Sequence, residues 1–104
     1  MSLRGGSVRL GRVRVENASM LPTFRHDDRL VVLYGSRRVR PGDVVLVRRA
    51  DGLMIKRIAS VGAEGITVLS DNALAGTDSR SFGPVQRDAV VARVLWRYWR
   101  AQRW

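Results

Sequence analysis

Short β-type stretches, each closed by a turn signal before it can grow into a helix of useful length, most constrain what this chain can fold into. Residues 8–15 alternate apolar and arginine positions, and residues 29–34 and 43–48 are brief β-branched runs. Residues 54–61 and 65–69 read the same way, and a last strand is expected over 89–95. Gly35-Ser36, Pro41-Gly42, Asp51-Gly52 and Gly62 mark the turns between them. Residues 70–84, rich in Asp, Asn, Gly and Ser, form the one long loop. This punctuation predicts a mostly-β domain of small coiled sheets with little helix. A chain of 104 residues leaves room for a single core, so residues 1–104 are expected to be one domain.

Composition removes several kinds of chemistry. There is no cysteine, so disulfides, thiolate nucleophiles and cysteine-bound metals are excluded. The single histidine, His26, sits in a polar stretch with Asp27 and Asp28 and reads as a solvated loop or edge residue. One histidine builds no zinc site, and no cluster of His or paired carboxylates offers a metal a first shell, so no metal or cofactor is expected. The formal net charge of +10 suits an anionic partner, nucleic acid or membrane surface. Of the 19 basic residues only Lys56 is lysine. Arginine stays charged, whereas a desolvated lysine can lose its proton, so a lone lysine among arginines suggests chemistry that needs a neutral amine; chance survival is the competing reading.

Three segments form a pattern together. The first is Asn17-Ala18-Ser19-Met20-Leu21-Pro22-Thr23, followed by Asp28 and an apolar strand. The second is Ile55-Lys56-Arg57-Ile58, preceded by Pro41-Gly42-Asp43-Val44-Val45. The third is Asp71-Asn72 and then Asp78-Ser79-Arg80-Ser81-Phe82-Gly83-Pro84-Val85. In this order they resemble the type I signal peptidase family and its relatives, the mitochondrial inner-membrane peptidases and the peptidase halves of self-cleaving repressors. The resemblance runs from about Val15 to Val94 and implies a small signal-peptidase or repressor-peptidase-like β domain.

The resemblance implies that Ser19 attacks the peptide carbonyl and that Lys56 removes its proton. The residues agree with such roles. A serine hydroxyl is a weak nucleophile without a base in hydrogen-bond reach, and a lysine serves as that base only if burial lowers its pKa. Leu53, Met54, Ile55 and Ile58 surround Lys56 in sequence. The oxyanion donors implied by the family are the Ser19 N–H and the side chain two residues earlier, here Asn17; an Asx-turn role for Asn17 is the competing reading. Asp71, Asn72, Asp78, Ser79 and Arg80 fall on the family's third motif and imply support of the site, through an Asp78–Arg80 or an Asp71–Arg80 pair.

The chain also departs from the family. Ser70 replaces its glycine before Asp-Asn, and Gly76 replaces a serine whose hydroxyl helps orient the lysine, leaving Ser70 or Thr77 to take over. Lys56 follows Ser19 by only 37 residues, and the second β domain inserted in bacterial signal peptidases has no counterpart between Lys56 and Asp71. In this the chain is similar to the small peptidases that mature nickel-type superoxide dismutase by clipping an amino-terminal leader.

These observations predict a serine endopeptidase with a Ser-Lys dyad that removes a leader or signal peptide with small residues before the cut. The rival readings are a basic nucleic-acid-binding β module, suggested by +10 and by Tyr34, Trp96, Tyr98 and Trp99, and a catalytically inactive scaffold. The arginines scatter along the chain instead of gathering in a stripe, which disfavours nucleic acid. No apolar run approaches the roughly 20 residues of a membrane span, so a cytoplasmic or membrane-associated protein is expected. The Trp-Arg-rich carboxyl-terminal segment reads either as a peripheral membrane contact or as a cover for the edge of the core.

Overall fold

The computed structural model describes residues 8–36, 38–50 and 52–102. Six strands are found among them: β1 (Arg9–Arg14), β2 (Arg29–Tyr34), β3 (Val44–Arg49), β4 (Gly52–Gly62), β5 (Gly65–Leu69) and β6 (Val90–Trp99). They form one antiparallel sheet in the order β1-β2-β6-β3-β4-β5. The chain is mostly β with little helix: among the described residues there is a single helical turn, α1 (Ser79–Phe82), and a 3₁₀ turn at Arg87–Ala89.

Two apolar clusters cover opposite faces of this sheet. Val45, Val47, Ile58, Ile66 and Val68 form one. Val15, Leu30, Val32, Leu46 and Ala92 form the other. Neighbouring residues of a strand point to opposite faces, so β3 contributes to both, and Val44, Val45, Leu46 and Val47 are all buried. A strand covered on both faces needs no polar alternation, which is why this segment reads as an unbroken apolar run.

The turns follow from residue chemistry. Pro41 fixes one central φ of the turn between Arg40 and Asp43, and Gly42 accepts the positive φ of +96° that the next position requires. The Asp43 N–H donates to the Arg40 carbonyl at 3.1 Å, and the Asp43 carboxylate accepts from the Arg40 N–H at 3.0 Å. This turn feeds β3 directly alongside β4, with Val45 opposite Lys56.

The last strand departs from the sequence reading. It continues through Trp99, and its pairing with β2 shifts register twice. Trp96 is 55% and Trp99 46% exposed, so they stand outward instead of capping the core. No helix among the described residues is long and apolar enough to cross a membrane.

Asp28, fully buried, joins the start of β2 to the end of β6. Its carboxylate accepts from the Arg25 N–H at 2.9 Å, the Ala101 N–H at 2.7 Å and the Arg97 guanidinium at 3.2 Å. Its carbonyl accepts from the Val15 N–H, while the Val15 carbonyl accepts from the Asp27 N–H, both at 2.8 Å. The loop holding Ser19 is thereby closed at its base. Removing one partner of such a buried arrangement strands the other charge, so Asp28→Ala should cost about 3 kcal/mol. The exposed control Asp88→Ala should stay within about 0.5 kcal/mol. Urea unfolding of the two variants checks the difference.

Candidate active site

Ser19 lies in the turn structure between β1 and β2, with only 8% of the residue exposed and the neighbouring Met20 fully buried. The turn is closed from inside by Leu21 N–H to the Ala18 carbonyl and Phe24 N–H to the Met20 carbonyl. It is held from outside by the Asp71-Asn72 segment. The Asn72 N–H donates to the Ser19 carbonyl at 2.9 Å, and its side-chain amide donates to the Ala18 carbonyl at 3.0 Å. Thr23 Oγ1 donates to Asp71 at 2.5 Å.

Lys56 reaches the same place from β4. It is 2% exposed, and its Nζ donates to Ser70 Oγ at 2.7 Å. Register explains the contact. Arg57 is opposite Leu69, and one step further the antiparallel ladder sets Lys56 against Ser70 on the same face. Loss of hydration lowers the Lys56 pKa from the usual lysine range; Asp78 opposes this shift and Arg80 adds to it.

Gly76 fills the space between the two residues. A β-carbon there would lie 3.1 Å from Ser19 Cβ, 3.5 Å from Lys56 Nζ and 3.9 Å from Ser70 Oγ, and its φ of +74° is one that glycine takes without strain. Of the two hydroxyls open in the sequence reading, Ser70 makes the lysine contact. Thr77 is exposed.

The third motif divides into two ion pairs. Arg80 pairs with Asp78 through Nε at 3.0 Å and Nη2 at 2.5 Å, and Asp78 also accepts the Ser70 N–H at 2.8 Å. Asp78 caps α1 by accepting the Arg80 N–H, while Ser79 Oγ accepts the Val68 N–H at 2.9 Å. Asp71 is paired not with Arg80 but with Arg57, through Nε at 2.9 Å and Nη2 at 2.8 Å. Arg57 and Thr23 had no assigned role in the sequence reading. Their only signal was that they belong to the first and second segments of the pattern.

Asn17 adopts the Asx arrangement. Its φ is +73°, its Oδ1 accepts the Ser19 N–H at 3.0 Å, and its own N–H donates to His26 Nδ1 at 3.0 Å. The Asn17 oxygen, not its NH₂ group, therefore faces Ser19. In this conformation the Ser19 N–H is engaged, and an oxyanion could receive it only after the Asn17 side chain turned away.

Ser19, Lys56 and Gly76 open together onto a groove of about 740 Å³. Val13 and Val15 line it from the end of β1, and Leu53, Met54 and Ile55 from the start of β4. Apolar side chains share its walls with Arg14, Glu16 and Asn17, and it carries a hydroxyl and an amine at one locality. Among the described residues no three His, Asp or Glu side chains group as metal ligands do.

A family model described as Peptidase S24-like matches residues 6–95. The chain belongs to the peptidase S24-like family. This match spans all three motifs, so the protein is a signal-peptidase-like serine peptidase or a scaffold built on that S24-like domain. No curated protein matches the chain. Within the S24-like domain, the loops carrying Ser19, Ser70 and Gly76 converge because β4 and β5 are held in one register and Asn72 grips the serine turn.

The same ion pairs set the acid limit of this domain. The Arg80 guanidinium and the Ser70 N–H hold the Asp78 carboxyl well below its ordinary pKa, and Arg57 and Thr23 lower that of Asp71. A carboxyl with a depressed folded pKa binds its proton more readily when unfolded. Its stabilisation is therefore complete above the unfolded value of about 4 and is lost as pH falls below it. Thermal melts should fall steeply from pH 5 to pH 3 in the wild type. In Asp78→Asn the melting temperature should be lower at pH 7 and change less over that interval.

Proposed function

We propose that the chain is a serine endopeptidase in which Ser19 is the nucleophile and Lys56 the general base. The observation that carries this reading is the meeting of a buried hydroxyl and a desolvated amine across Gly76, at the wall of an open groove. A neutral Lys56 amine donates one hydrogen to Ser70 and keeps its lone pair for the Ser19 hydroxyl. As Ser19 Oγ bonds to the scissile carbonyl carbon, the Ser19 proton passes to Nζ. The ammonium then gives that proton to the leaving amine as the peptide C–N bond breaks. Water, deprotonated by the same amine, hydrolyses the acyl-enzyme and restores Ser19. Rotation of Asn17 frees the Ser19 N–H for the oxyanion, and its NH₂ group becomes available as a second donor.

The groove supports an extended peptide as substrate, laid beside the backbone of β1 and β4. The glycine-lined space at Ser19 favours small residues before the cut, as in the family. The substrate class we assign is the flexible leader of a precursor protein. The compact spacing from Lys56 to Asp71 supports the narrower assignment, a nickel-type superoxide dismutase precursor, trimmed at one bond. In a peptide library, cleavage should follow Ala or Gly; a preference for basic or aromatic residues before the cut would count against the assignment.

The base is tested by pH and by charge-preserving substitution. Cleavage should rise with pH through a lysine pKa below the ordinary value of about 10.4. Lys56→Arg keeps the charge but cannot deprotonate, so turnover should fall by at least about 100-fold, as for Lys56→Met and Ser19→Ala. Each variant's fold is checked by circular dichroism. A folded Lys56→Arg protein with near wild-type turnover would sink the mechanism.

A further inference from the structure

Among the described residues no helix packs on the face of β1, β2 and β6 turned away from the second apolar cluster, where Val31, Leu33 and Arg93 are half-buried between more exposed neighbours. Directly opposed residues of antiparallel strands share a face, and the register places three rows on this one. Leu10, Leu33 and Arg93 form the first row, Arg12, Val31 and Trp96 the second, and Arg14, Arg29 and Trp99 the third. Leu10 is 63% exposed, and Trp96 and Trp99 are about half exposed. The Arg29 guanidinium lies 4.8 Å from the centre of the Trp99 ring. None of the nine positions is acidic. Only at the corner does a carboxylate intrude, where Arg14 pairs with Asp27 and Glu16.

We infer that this face docks on an anionic lipid surface, with Leu10, Trp96 and Trp99 entering the headgroup region and Arg12, Arg29 and Arg93 meeting lipid phosphates. Charge selects the occupant. A second copy meeting the first through the same face would bring guanidinium against guanidinium, with carboxylates only at the corner, where Asp27 and Glu16 already pair with Arg14. Nucleic acid would satisfy the arginines but leave Leu10, Val31 and Leu33 in water, whereas a bilayer boundary takes both sets. Arg14 belongs to this face and also lines the groove beside Ser19, so the docked protein holds the groove close to the headgroup plane. The inference stands on the sheet face alone and is independent of the proposed peptidase chemistry.

The test uses the full chain with vesicles of phosphatidylcholine alone and of equimolar phosphatidylcholine and phosphatidylglycerol, read by co-sedimentation and tryptophan emission. Binding is expected to the anionic vesicles only, with a blue shift of emission. Trp96→Ser and Leu10→Ser should each reduce both signals. Arg12→Ser/Arg29→Ser should weaken binding about fivefold for each arginine. Arg48→Ser/Arg87→Ser removes the same charge from exposed sites off this face and should cost much less. Equal losses from the two double variants, or wild-type binding by both Trp96→Ser and Leu10→Ser, would overturn the inference by reducing the effect to bulk charge. So would a Trp96-dependent dimer, or a Trp96-dependent shift of an oligonucleotide by a protein that ignores the vesicles.

Discussion

The structure is organised around the cost of keeping an amine out of water. Lys56 is almost wholly buried, and its hydrogen-bond partner is a hydroxyl, not a carboxylate. A carboxylate in contact would have stabilised the ammonium and raised the pKa. Asp78, the acidic group whose charge opposes the shift, is itself paired with Arg80 and accepts the Ser70 N–H. The pair Asp78–Arg80 thus does two things at once. It fixes Ser70, and through Ser70 the amine, while limiting the negative field that would keep that amine protonated.

The serine side depends on backbone grips. Asn72 holds two successive carbonyls of the turn, and Asp71 links that turn through Thr23 to Arg57 on β4, beside Lys56. The two candidate reacting groups therefore share a frame: a displacement of β4 moves Arg57, Asp71 and the serine turn together. Gly76 completes the frame by being small. A β-carbon there would crowd Ser19 at 3.1 Å from its Cβ, and the hydroxyl that meets the lysine comes from Ser70.

Much of this was legible in the chain. The strands were visible because β-branched runs end at Gly and Pro, and Ser19 and Lys56 stood out because their motifs carry specific residue types. What could not be read depended on register. Whether Ser70 or Thr77 meets the lysine is decided by the Arg57–Leu69 pairing, and the partner of Asp71 by which arginine shares its side of β4. The Asp28–Arg97 contact joins residues 69 apart in sequence, with no local signal at either end. The length of β6 was underestimated because its two register shifts break the alternation that marks a strand. Asn17 turned on a single backbone angle, its positive φ.

The position of β6 has a consequence for biogenesis. It is the latest of the six strands in chain order yet sits between β2 and β3, joining a local β1–β2 pair to a local β3–β4–β5 meander. Until it leaves the ribosome the two halves share no ladder, and the buried Asp28 lacks both Arg97 and the Ala101 amide. Long-range pairings of this kind form late because loop-closure entropy must be met first. The serine turn and the lysine strand lie in different halves, so before β6 is in place the contacts of Asp71 and Asn72 join them without a shared ladder. The candidate site is in this way completed only when the last of the six strands joins the sheet.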